Sequence, residues 1–167
     1  NTINPEYFKK CKKKQSRLLI TMGGNDEHEN TIWLLENISD LLNDFEVFIC
    51  IGPMYKNKEK IIKLAKSNLD NYKIYNSPNT LIEIVKKCSF SLSASGTTCY
   101  ELAAARIVMG LFVDDNDQKK LHKKILKEKV GFSLGTFKNR DINLVRKVFR
   151  LFKNKNKVDQ IKKNEIN

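Results

Sequence analysis

Phe90-Ser-Leu-Ser-Ala-Ser-Gly-Thr-Thr-Cys-Tyr-Glu101 is the stretch that decides the fold of this chain. It passes from an apolar run through a turn of small residues around Gly96 into an Ala-rich segment. A second apolar run covers residues 107–113, and the polar loop 114–118 follows it. This order predicts a buried strand, a sharp turn at the glycine, a helix and a second buried strand.

The turn at residues 95–98 carries the chemistry of this stretch. It places the hydroxyls of Ser95, Thr97 and Thr98 at the start of the predicted helix, where unpaired N–H groups and the helix dipole favour an anion. Glu101 lies one turn further on, where its carboxylate can accept hydrogen bonds from a ribose diol. Thr98 and Glu101 also have the spacing of a capping box, in which the glutamate only satisfies its own helix. Both interpretations of Glu101 stay open at the level of sequence.

The rest of the chain repeats this alternation of strand and helix. Three apolar runs precede the central stretch, and each ends in a turn of Gly, Pro or Asn: 17–22, 46–51 and 72–75. Apolar residues at helical spacing follow each turn and recur twice near the C-terminus: 31–42, 59–69, 81–88, 121–126 and 141–152. This order predicts an α/β domain with a Rossmann-like, open and mostly parallel sheet flanked by helices. Right-handed crossovers then place the turns after the strands at one edge of the sheet, where such folds bind ligands.

Composition and charge narrow the class of protein. Hydrophobic residues make up 41% of the 167 residues, which suits one folded domain. No run approaches the roughly 18 apolar residues of a membrane span. The net charge of +12 suggests a polyanionic partner. Lysines are spread along the whole chain, however, so a nucleic-acid-binding module is the minority alternative. The prediction is a cytoplasmic domain without a membrane span.

The cysteines and histidines predict neither a metal site nor a cofactor. The four cysteines form no C-x-x-C pair, and His28 and His122 are isolated from them in sequence. Reduced thiols with packing roles are therefore expected. Cys99 follows the turn at a helix start, which also allows a nucleophile, but neither histidine has the context of its base.

Four motifs together resemble a known enzyme family. They are Met22-Gly-Gly-Asn-Asp26, Ile51-Gly-Pro53, Asn76-x-x-Asn79 and Ser95-Gly-Thr-Thr-Cys-Tyr-Glu-Leu-Ala103. They resemble the C-terminal domain of the UDP-sugar hydrolase of pseudaminic-acid biosynthesis, which releases UDP from a 2,4-diacetamido-trideoxy sugar and has the GT-B glycosyltransferases as fold relatives. The resemblance implies the C-terminal half of a GT-B fold. It also implies an interdomain connector at 1–14, a UDP-sugar-binding domain at 15–152 and a basic C-terminal tail at 153–167.

The resemblance also implies roles for individual residues. Ser95, Gly96, Thr97 and Thr98 would hold the diphosphate, and Glu101 the ribose. The turn of Asn76, Ser77 and Pro78 would offer its backbone to uracil. The loop of Gly23, Gly24 and Asn25 would face the diphosphate and the sugar. Contacts to the sugar would come from Asn116, Asp117 and Gln118. The family's catalytic histidine belongs to an N-terminal domain that these 167 residues do not contain. The sequence therefore predicts no catalytic residue here, and an isolated chain without hydrolase activity.

Two departures from the family pattern leave two alternatives open, an altered sugar specificity or a diverged and inactive relative. Arg106-Ile-Val108 stands where the family has Gly-x-Pro, so the helix ends without the glycine that favours a left-handed cap. The loop 115–118 also differs from the family's Asp/Glu-Asn-Gln spelling. A glycosyltransferase that uses the same nucleotide domain is the alternative within enzymes, because water and an acceptor hydroxyl cannot be told apart from this half.

Overall fold

The computed structural model describes residues 3–8, 17–113 and 116–164. Its centre is one six-stranded sheet in the order β3-β2-β1-β4-β5-β6. All five strand pairings are parallel, which confirms the predicted Rossmann-like α/β fold. The strands are β1 (Arg17–Thr21), β2 (Glu46–Ile51), β3 (Tyr72–Asn76), β4 (Phe90–Ala94), β5 (Val108–Val113) and β6 (Gly131–Thr136).

Helices follow each strand and cover both faces of the sheet. They are α1 (Asn30–Asn37), α2 (Ser39–Leu42), α3 (Lys58–Asn68), α4 (Ile82–Val85), α5 (Thr98–Ala104), α6 (Asn116–Lys127), α7 (Ile142–Phe152) and α8 (Lys155–Asn164). The apolar stripe at 31–42 predicts one helix, but the chain leaves helical geometry at the fully buried Ile38 (φ −134°, ψ 21°) and forms two. In the described part of the chain, no helix has the length and apolar character needed to cross a membrane.

Two apolar layers hold the helices to the sheet. Successive residues of a strand point to opposite faces, so Leu18 and Ile20 belong to the layer under α1, α3 and α7, whereas Leu19 belongs to the layer under α4, α5 and α6. Phe149 of α7 and Leu102 of α5 are almost fully buried in these two layers. Burial on both faces explains why the strands are continuous apolar runs instead of alternating ones.

The predicted basic tail is the main correction to the domain plan. The sequence predicts a basic tail from residue 153, yet α8 forms within it and packs beside α7. Val158 and Ile161, three residues apart, are buried and face the core, while lysines occupy the exposed positions. Two apolar anchors among many lysines are a weak sequence signal. Residues 165–167 of the predicted tail lie outside the described residues.

The predicted connector is described only over residues 3–8. Pro5–Phe8 forms a 3₁₀ turn that lies against α4 and α5, and Ile3 packs on the layer under these helices. The Lys86 ammonium donates to the Glu6 carboxylate at 3.1 Å. Residues 1–2 and 9–14 of the connector lie outside the described residues.

Candidate functional site

The strand order creates a crevice between β1 and β4. The chain moves outward from β1 to β2 and β3 on one side, and from β4 to β5 and β6 on the other. The loops that follow β1 and β4 therefore diverge, and ligands of open α/β sheets bind at this switch point. Two cavities flank it, and both are lined by residues that the sequence singled out.

The first, which we call the glycine cavity, has a volume of about 190 Å³ and lies over the ends of β1, β2 and β3. It brings together four predicted site residues from three separate loops: Gly23, Gly24, Pro78 and Thr98. Its wall also contains residues that were not predicted to bind ligand: Thr21, Cys50, Ile51, Gly52, Pro53 and Leu81. Leu81, directly before α4, adds an apolar side chain to this wall.

The loops after β1 and β2 are fitted together at glycines. A Cβ atom on Gly52 would lie 2.2 Å from the carbonyl oxygen of Gly23 and 2.4 Å from that of Gly24, so no other residue fits there without a backbone shift. Gly23 itself has φ +79°, which side chains disfavour. The Met54 N–H donates to the Gly24 carbonyl at 3.0 Å and completes the junction.

Asp26 anchors the other end of the β1 loop. Its buried carboxylate accepts from the backbone N–H groups of Asn30 (2.8 Å) and Thr31 (2.7 Å) and from the Asn30 side-chain amide (3.0 Å). These are the donors that a helix N-terminus otherwise offers to an anion. Since Asp26 occupies them, the start of α1 does not serve as a phosphate site.

The turn after β3 has strained backbone and is held by hydrogen bonds to Ile51 and Lys58. Ser77 has φ +50° although it precedes Pro78, a combination that backbone sterics disfavour. Its N–H donates to the Ile51 carbonyl at 2.9 Å, and its hydroxyl accepts from the Lys58 ammonium at 3.2 Å. The hydroxyl also donates to the Asn76 side-chain oxygen at 3.1 Å. Because Pro78 has no N–H, Ser77 and Pro78 can offer only carbonyl oxygens to a ligand.

The loop after β4 has a buried polar support. The Ser95 N–H and hydroxyl both donate to the Phe112 carbonyl, at 2.8 and 2.7 Å. The hydroxyl proton is thus committed, so the His122 Nδ1–H donates to Ser95 Oγ at 2.7 Å and His122 Nε2 accepts from Ser133 Oγ at 3.0 Å. Burial lowers the pKa of His122, which keeps the imidazole neutral as this pattern requires. Ser95 therefore supports the loop and has no donor left for a phosphate.

Gly96, Thr97 and Thr98 form the open part of this loop. In the described part of the chain, none of their backbone N–H groups has a hydrogen-bond partner. A Cβ atom on Gly96 would meet nothing within 4 Å, and its φ lies outside the left-handed region. The backbone at residue 96 therefore does not require a glycine, contrary to the prediction. The missing side chain of Gly96 leaves open space at the start of α5.

The capping box predicted for Thr98 and Glu101 is displaced. Thr98 is the first residue of α5, and the preceding Thr97 already has helical angles and makes no side-chain cap. Glu101 is half-buried one turn into the helix. Cys99 is buried, its thiol donates to the Ala94 carbonyl, and burial raises its pKa to about 12. This environment gives the thiol a packing role rather than that of a nucleophile.

The second cavity, which we call the polar cavity, lies on the other side of the switch point. Its volume is about 210 Å³, and Asn25, predicted to face diphosphate and sugar, and Gln118, predicted to contact the sugar, both line it. His28, for which no sequence pattern predicted this position, lines the same cavity and stacks on Phe137 at 5.3 Å between ring centroids. Asn116 is the first residue of α6, and Asp117 follows it. Their side chains, and residues 114–115, lie outside the described part.

Comparison with known proteins supports the fold and little more. No protein-family model matches the chain. The uncharacterized protein MJ1062 of Methanocaldococcus jannaschii is 24% identical over 129 residues, which covers 75% of this chain and 27% of that protein. The lipopolysaccharide-biosynthesis glycosyltransferase WaaG has a TM-score of 0.65 at 15% identity, over 92% of this chain and 42% of its own. The chain has the fold of one half of a GT-B protein.

Two further solved structures share this GT-B half. The glycotransferase of kitacinnamycin has a TM-score of 0.62 at 11% identity, over 90% of this chain and 39% of its own. The glycosyltransferase SnogD from Streptomyces nogalater has a TM-score of 0.58 at 13% identity, over 99% of this chain and 42% of its own. The chain thus spans less than half the length of each protein that it resembles.

Two residues at the site, His122 and Leu81, were not predicted from the sequence. The hydrogen-bond partners of His122 cannot be recognised locally, because the two serines lie 27 and 11 residues away in sequence. A usable signal existed in its spacing, since His122 precedes the buried Ile125 by three residues and so shares its face of α6. Leu81 has no comparable signal, because only the tertiary fold brings it into the same cavity as Thr98.

Proposed function

We propose that this chain is the nucleotide-sugar-binding half of a GT-B enzyme and that its nucleotide is UDP. The observation that carries the proposal is the open loop after β4, where the N–H groups of Gly96, Thr97 and Thr98 have no partner among the described residues and a Cβ on Gly96 would meet nothing within 4 Å. Unpaired N–H groups at the start of a helix favour an anion such as a phosphate. The loop borders the glycine cavity, which supplies room for the nucleoside.

Each part of UDP has a complementary surface. The diphosphate accepts from the three N–H groups, and Glu101 accepts from the ribose hydroxyls one turn along α5. Uracil lies toward Pro78 and Leu81, and its N3–H donates to a carbonyl oxygen of the turn 76–78. That direction of the hydrogen bond follows from the geometry of the turn, because the Ser77 N–H is already bonded to Ile51. The sugar then extends toward Asn25 and Gln118 in the polar cavity.

The site is one wall of a larger cleft. The two cavities, at about 190 and 210 Å³, are each smaller than the roughly 300–1,000 Å³ of ligand pockets. A second domain over the sheet edge would supply the other wall and the catalytic base. Following the sequence resemblance, we propose that the complete enzyme hydrolyses a UDP-diacetamido-trideoxy sugar. Water attacks the anomeric carbon, and the bond to the UDP oxygen breaks.

A glycosyltransferase is the second candidate, favoured by the glycosyltransferases among the structural neighbours. An acceptor hydroxyl would then take the place of water, with UDP as the same leaving group. The two reactions separate in one assay of the full-length protein with UDP-sugar and no acceptor. Stoichiometric release of free sugar supports hydrolysis, whereas release that depends on an added acceptor supports transfer.

Calorimetry of the 167-residue chain tests the nucleotide assignment. We expect UDP to bind measurably, and AMP and GDP to bind at least tenfold more weakly (~1.4 kcal/mol), because the apolar end of the glycine cavity is small. Equal affinities for the three nucleotides would contradict the base assignment. Binding of none of them would contradict the phosphate site itself.

The isolated chain should not turn over the UDP-sugar. His122 is committed to Ser95 and Ser133, so it cannot act as a base toward a ligand. His28 lines the polar cavity beside the proposed sugar position, which makes it the residue to test. Metal-independent turnover by the purified chain, lost in His28→Ala, would refute the prediction and identify the base.

A further inference from the structure

A third cavity, which we call the acidic pocket, adjoins the polar cavity and shares Asn25, Asp26 and Glu27 with it, whereas Glu29, Tyr55, Lys56 and Asn57 line the acidic pocket without lining the polar cavity. It has a volume of about 300 Å³ and separates the loop before α1 from the loop after β2. Asp26, Glu27 and Glu29 line it in a protein whose net charge is +12. The exposed Lys56 is the only cation among its described lining residues. Local negative charge on so basic a chain suggests a cationic ligand.

Tyr55 gives independent evidence that this pocket is incomplete. Its side chain lines the pocket and is only 6% exposed, and its hydroxyl has no hydrogen-bond partner among the described residues. Buried polar groups without a partner are rare in folded proteins because they lose their hydration without replacement. Burial and, after it, the charges of Glu29 and Asp26 raise the pKa of Tyr55 to about 12, so the phenol remains protonated beside these carboxylates.

The carboxylates keep acceptor capacity toward the pocket. Asp26 is committed to the start of α1, but each glutamate uses one oxygen for a neighbouring amide. Glu27 accepts from Asn25 at 3.1 Å, and Glu29 accepts from Asn57 at 2.6 Å. The second oxygen of each glutamate has no partner in the residues that the structure describes. These two oxygens and the Tyr55 hydroxyl form a set of acceptors carried by three different side chains.

The arrangement suits an organic cation better than a metal ion. Within the described residues, no three His, Cys, Asp or Glu side chains converge in a way that could hold a metal. A metal needs its ligands around one point, whereas a guanidinium spreads five N–H donors over a plane. We propose that the acidic pocket binds a guanidinium group, with Glu27 and Glu29 as charged acceptors and the Tyr55 hydroxyl as a neutral one.

The guanidinium has two sources with the same chemistry, a free small molecule or an arginine side chain of a polypeptide that covers this edge. The test is an NMR titration of the ¹⁵N-labelled 167-residue chain with methylguanidinium chloride and, separately, with N-acetyl-arginine-methylamide. Tetramethylammonium chloride at the same ionic strength is the control, because it carries charge without N–H donors. Tighter binding of methylguanidinium indicates a free ligand, and tighter binding of the capped arginine indicates a side chain.

We expect saturable shifts confined to residues around 25–29 and 55–57 with either guanidinium probe. Identical shifts with tetramethylammonium, or no saturable shift with either guanidinium probe, would overturn the proposal. Because UDP is not added, failure of this titration leaves the nucleotide assignment untouched, and failure of the UDP calorimetry leaves this proposal untouched.

Matched variants separate the acceptors. Glu29→Gln should weaken guanidinium binding by about tenfold, because hydrogen bonds to a charged acceptor are roughly twice as strong as neutral ones. Tyr55→Phe should weaken it by about threefold and leave the melting temperature unchanged or higher, because it removes an unpaired buried hydroxyl. Glu59→Gln, on the exposed surface of α3, is the control and should leave affinity unchanged. A much lower melting temperature for Tyr55→Phe, with unchanged affinity in Glu29→Gln, would mean that the hydroxyl serves the fold and would overturn the proposal.

Discussion

Gly52 and Gly96 lie at the same edge of the sheet, and they are glycines for opposite reasons. At Gly52 a side chain would run into the backbone of the β1 loop, whose Gly23 oxygen lies 2.2 Å from the position of a Cβ. At Gly96 a side chain would meet nothing within 4 Å of its Cβ. The first glycine is required by the fold, whereas the fold of the chain by itself would accept another residue at the second.

We propose that this difference separates a structural glycine from a ligand-binding one. Where two loops touch, the small residue is explained by packing, and its replacement reports on stability. Where a small residue faces empty space beside unpaired N–H groups, packing explains nothing, and a ligand that approaches the backbone is the remaining physical reason. Substitutions at these positions test the distinction, and those with the greatest predicted effects come first.

Gly52→Ala should cost about 3 kcal/mol of unfolding free energy, because overpacking against backbone cannot be relieved by a rotamer change. Gly24→Ala is the matched control in the same junction. Its Cβ would meet only the flexible end of Met54, at 3.0 Å, and should cost less than about 1 kcal/mol. Urea denaturation of both variants measures the difference. Equal costs would mean that the two loops separate readily and that Gly52 is not required.

Glu101→Gln tests the functional side of the comparison. A carboxylate that accepts from two ribose hydroxyls contributes roughly 1.5–3 kcal/mol per charged hydrogen bond. UDP affinity should therefore fall by about one to two powers of ten. The unfolding free energy without ligand should change little, because Gln and Glu have similar helix propensities. Calorimetry with unchanged UDP affinity would return Glu101 to a role within its own helix.

Gly96→Ala should weaken UDP binding by about tenfold (~1.4 kcal/mol), because the new methyl group occupies the space between phosphate and backbone donors. The ligand-free protein should be equally stable or gain about 0.4–1 kcal/mol, since Ala restricts the unfolded chain. Calorimetry and urea denaturation of the same preparation separate the two effects. A destabilised protein with normal affinity would make Gly96 a second structural glycine like Gly52.

The polar support beneath the β4 loop should be visible in the pH dependence of stability. Burial lowers the pKa of His122 below its usual 6.5, so below about pH 6.5 the unfolded chain binds a proton that the folded chain does not. The stabilisation by neutral His122 is therefore complete above pH 6.5 and is lost as the pH falls through the folded pKa. Urea denaturation across this range should show the advantage of wild type over His122→Gln shrinking toward acid pH. A constant difference would mean that His122 does not titrate on unfolding.

Arg106 reverses the situation at Gly52, because here a side chain occupies backbone that favours glycine. Arg106 and Lys129 both have φ +56° where α5 and α6 end, and both helices close with the same pair of backbone hydrogen bonds. Left-handed backbone costs an ordinary residue about 1–2 kcal/mol, part of which glycine returns as unfolded-state entropy. Arg106→Gly and Lys129→Gly should each raise the unfolding free energy by about 0.5 kcal/mol. A loss in Arg106→Gly alone, measured by thermal denaturation, would show that the arginine side chain has its own role.

The sheet could be predicted in detail because each strand carries its signal locally. β2 has the predicted bounds, and α7 begins directly after Asp141, where the sequence predicts a helix start; the Asp141 side chain caps the helix by accepting from the Asn143 N–H at 2.8 Å. The errors fall where a local pattern is ambiguous. Ile38 fits a helical stripe, yet the chain breaks there, and the lysines of α8 conceal its two apolar anchors.

The candidate site was predicted less evenly. Gly23, Gly24, Pro78 and Thr98 do share one cavity, because parallel strands bring their following loops to one edge. The phosphate contact of Ser95 stays a prediction, but the N–H and the hydroxyl of Ser95 both donate to the Phe112 carbonyl. His28 reaches the site region through the fold alone, whereas the spacing of His122 to Ile125 indicates a buried position but not its serine partners.

Three features could be predicted from the sequence alone: the order of strands and helices along the chain, the parallel sheet, and the sheet edge at which the loops after the strands meet. These follow from periodicity and from turn residues, which act over a few neighbours along the chain. Three other features are visible only in the tertiary structure: which glycine the packing requires, which N–H groups have no partner among the described residues, and which hydroxyls and carboxylates already make hydrogen bonds within the protein. Those properties depend on distances between loops that are 20 to 30 residues apart, such as Gly23 and Gly52, or Ser95 and His122. Packing sets such distances, and no local pattern encodes them.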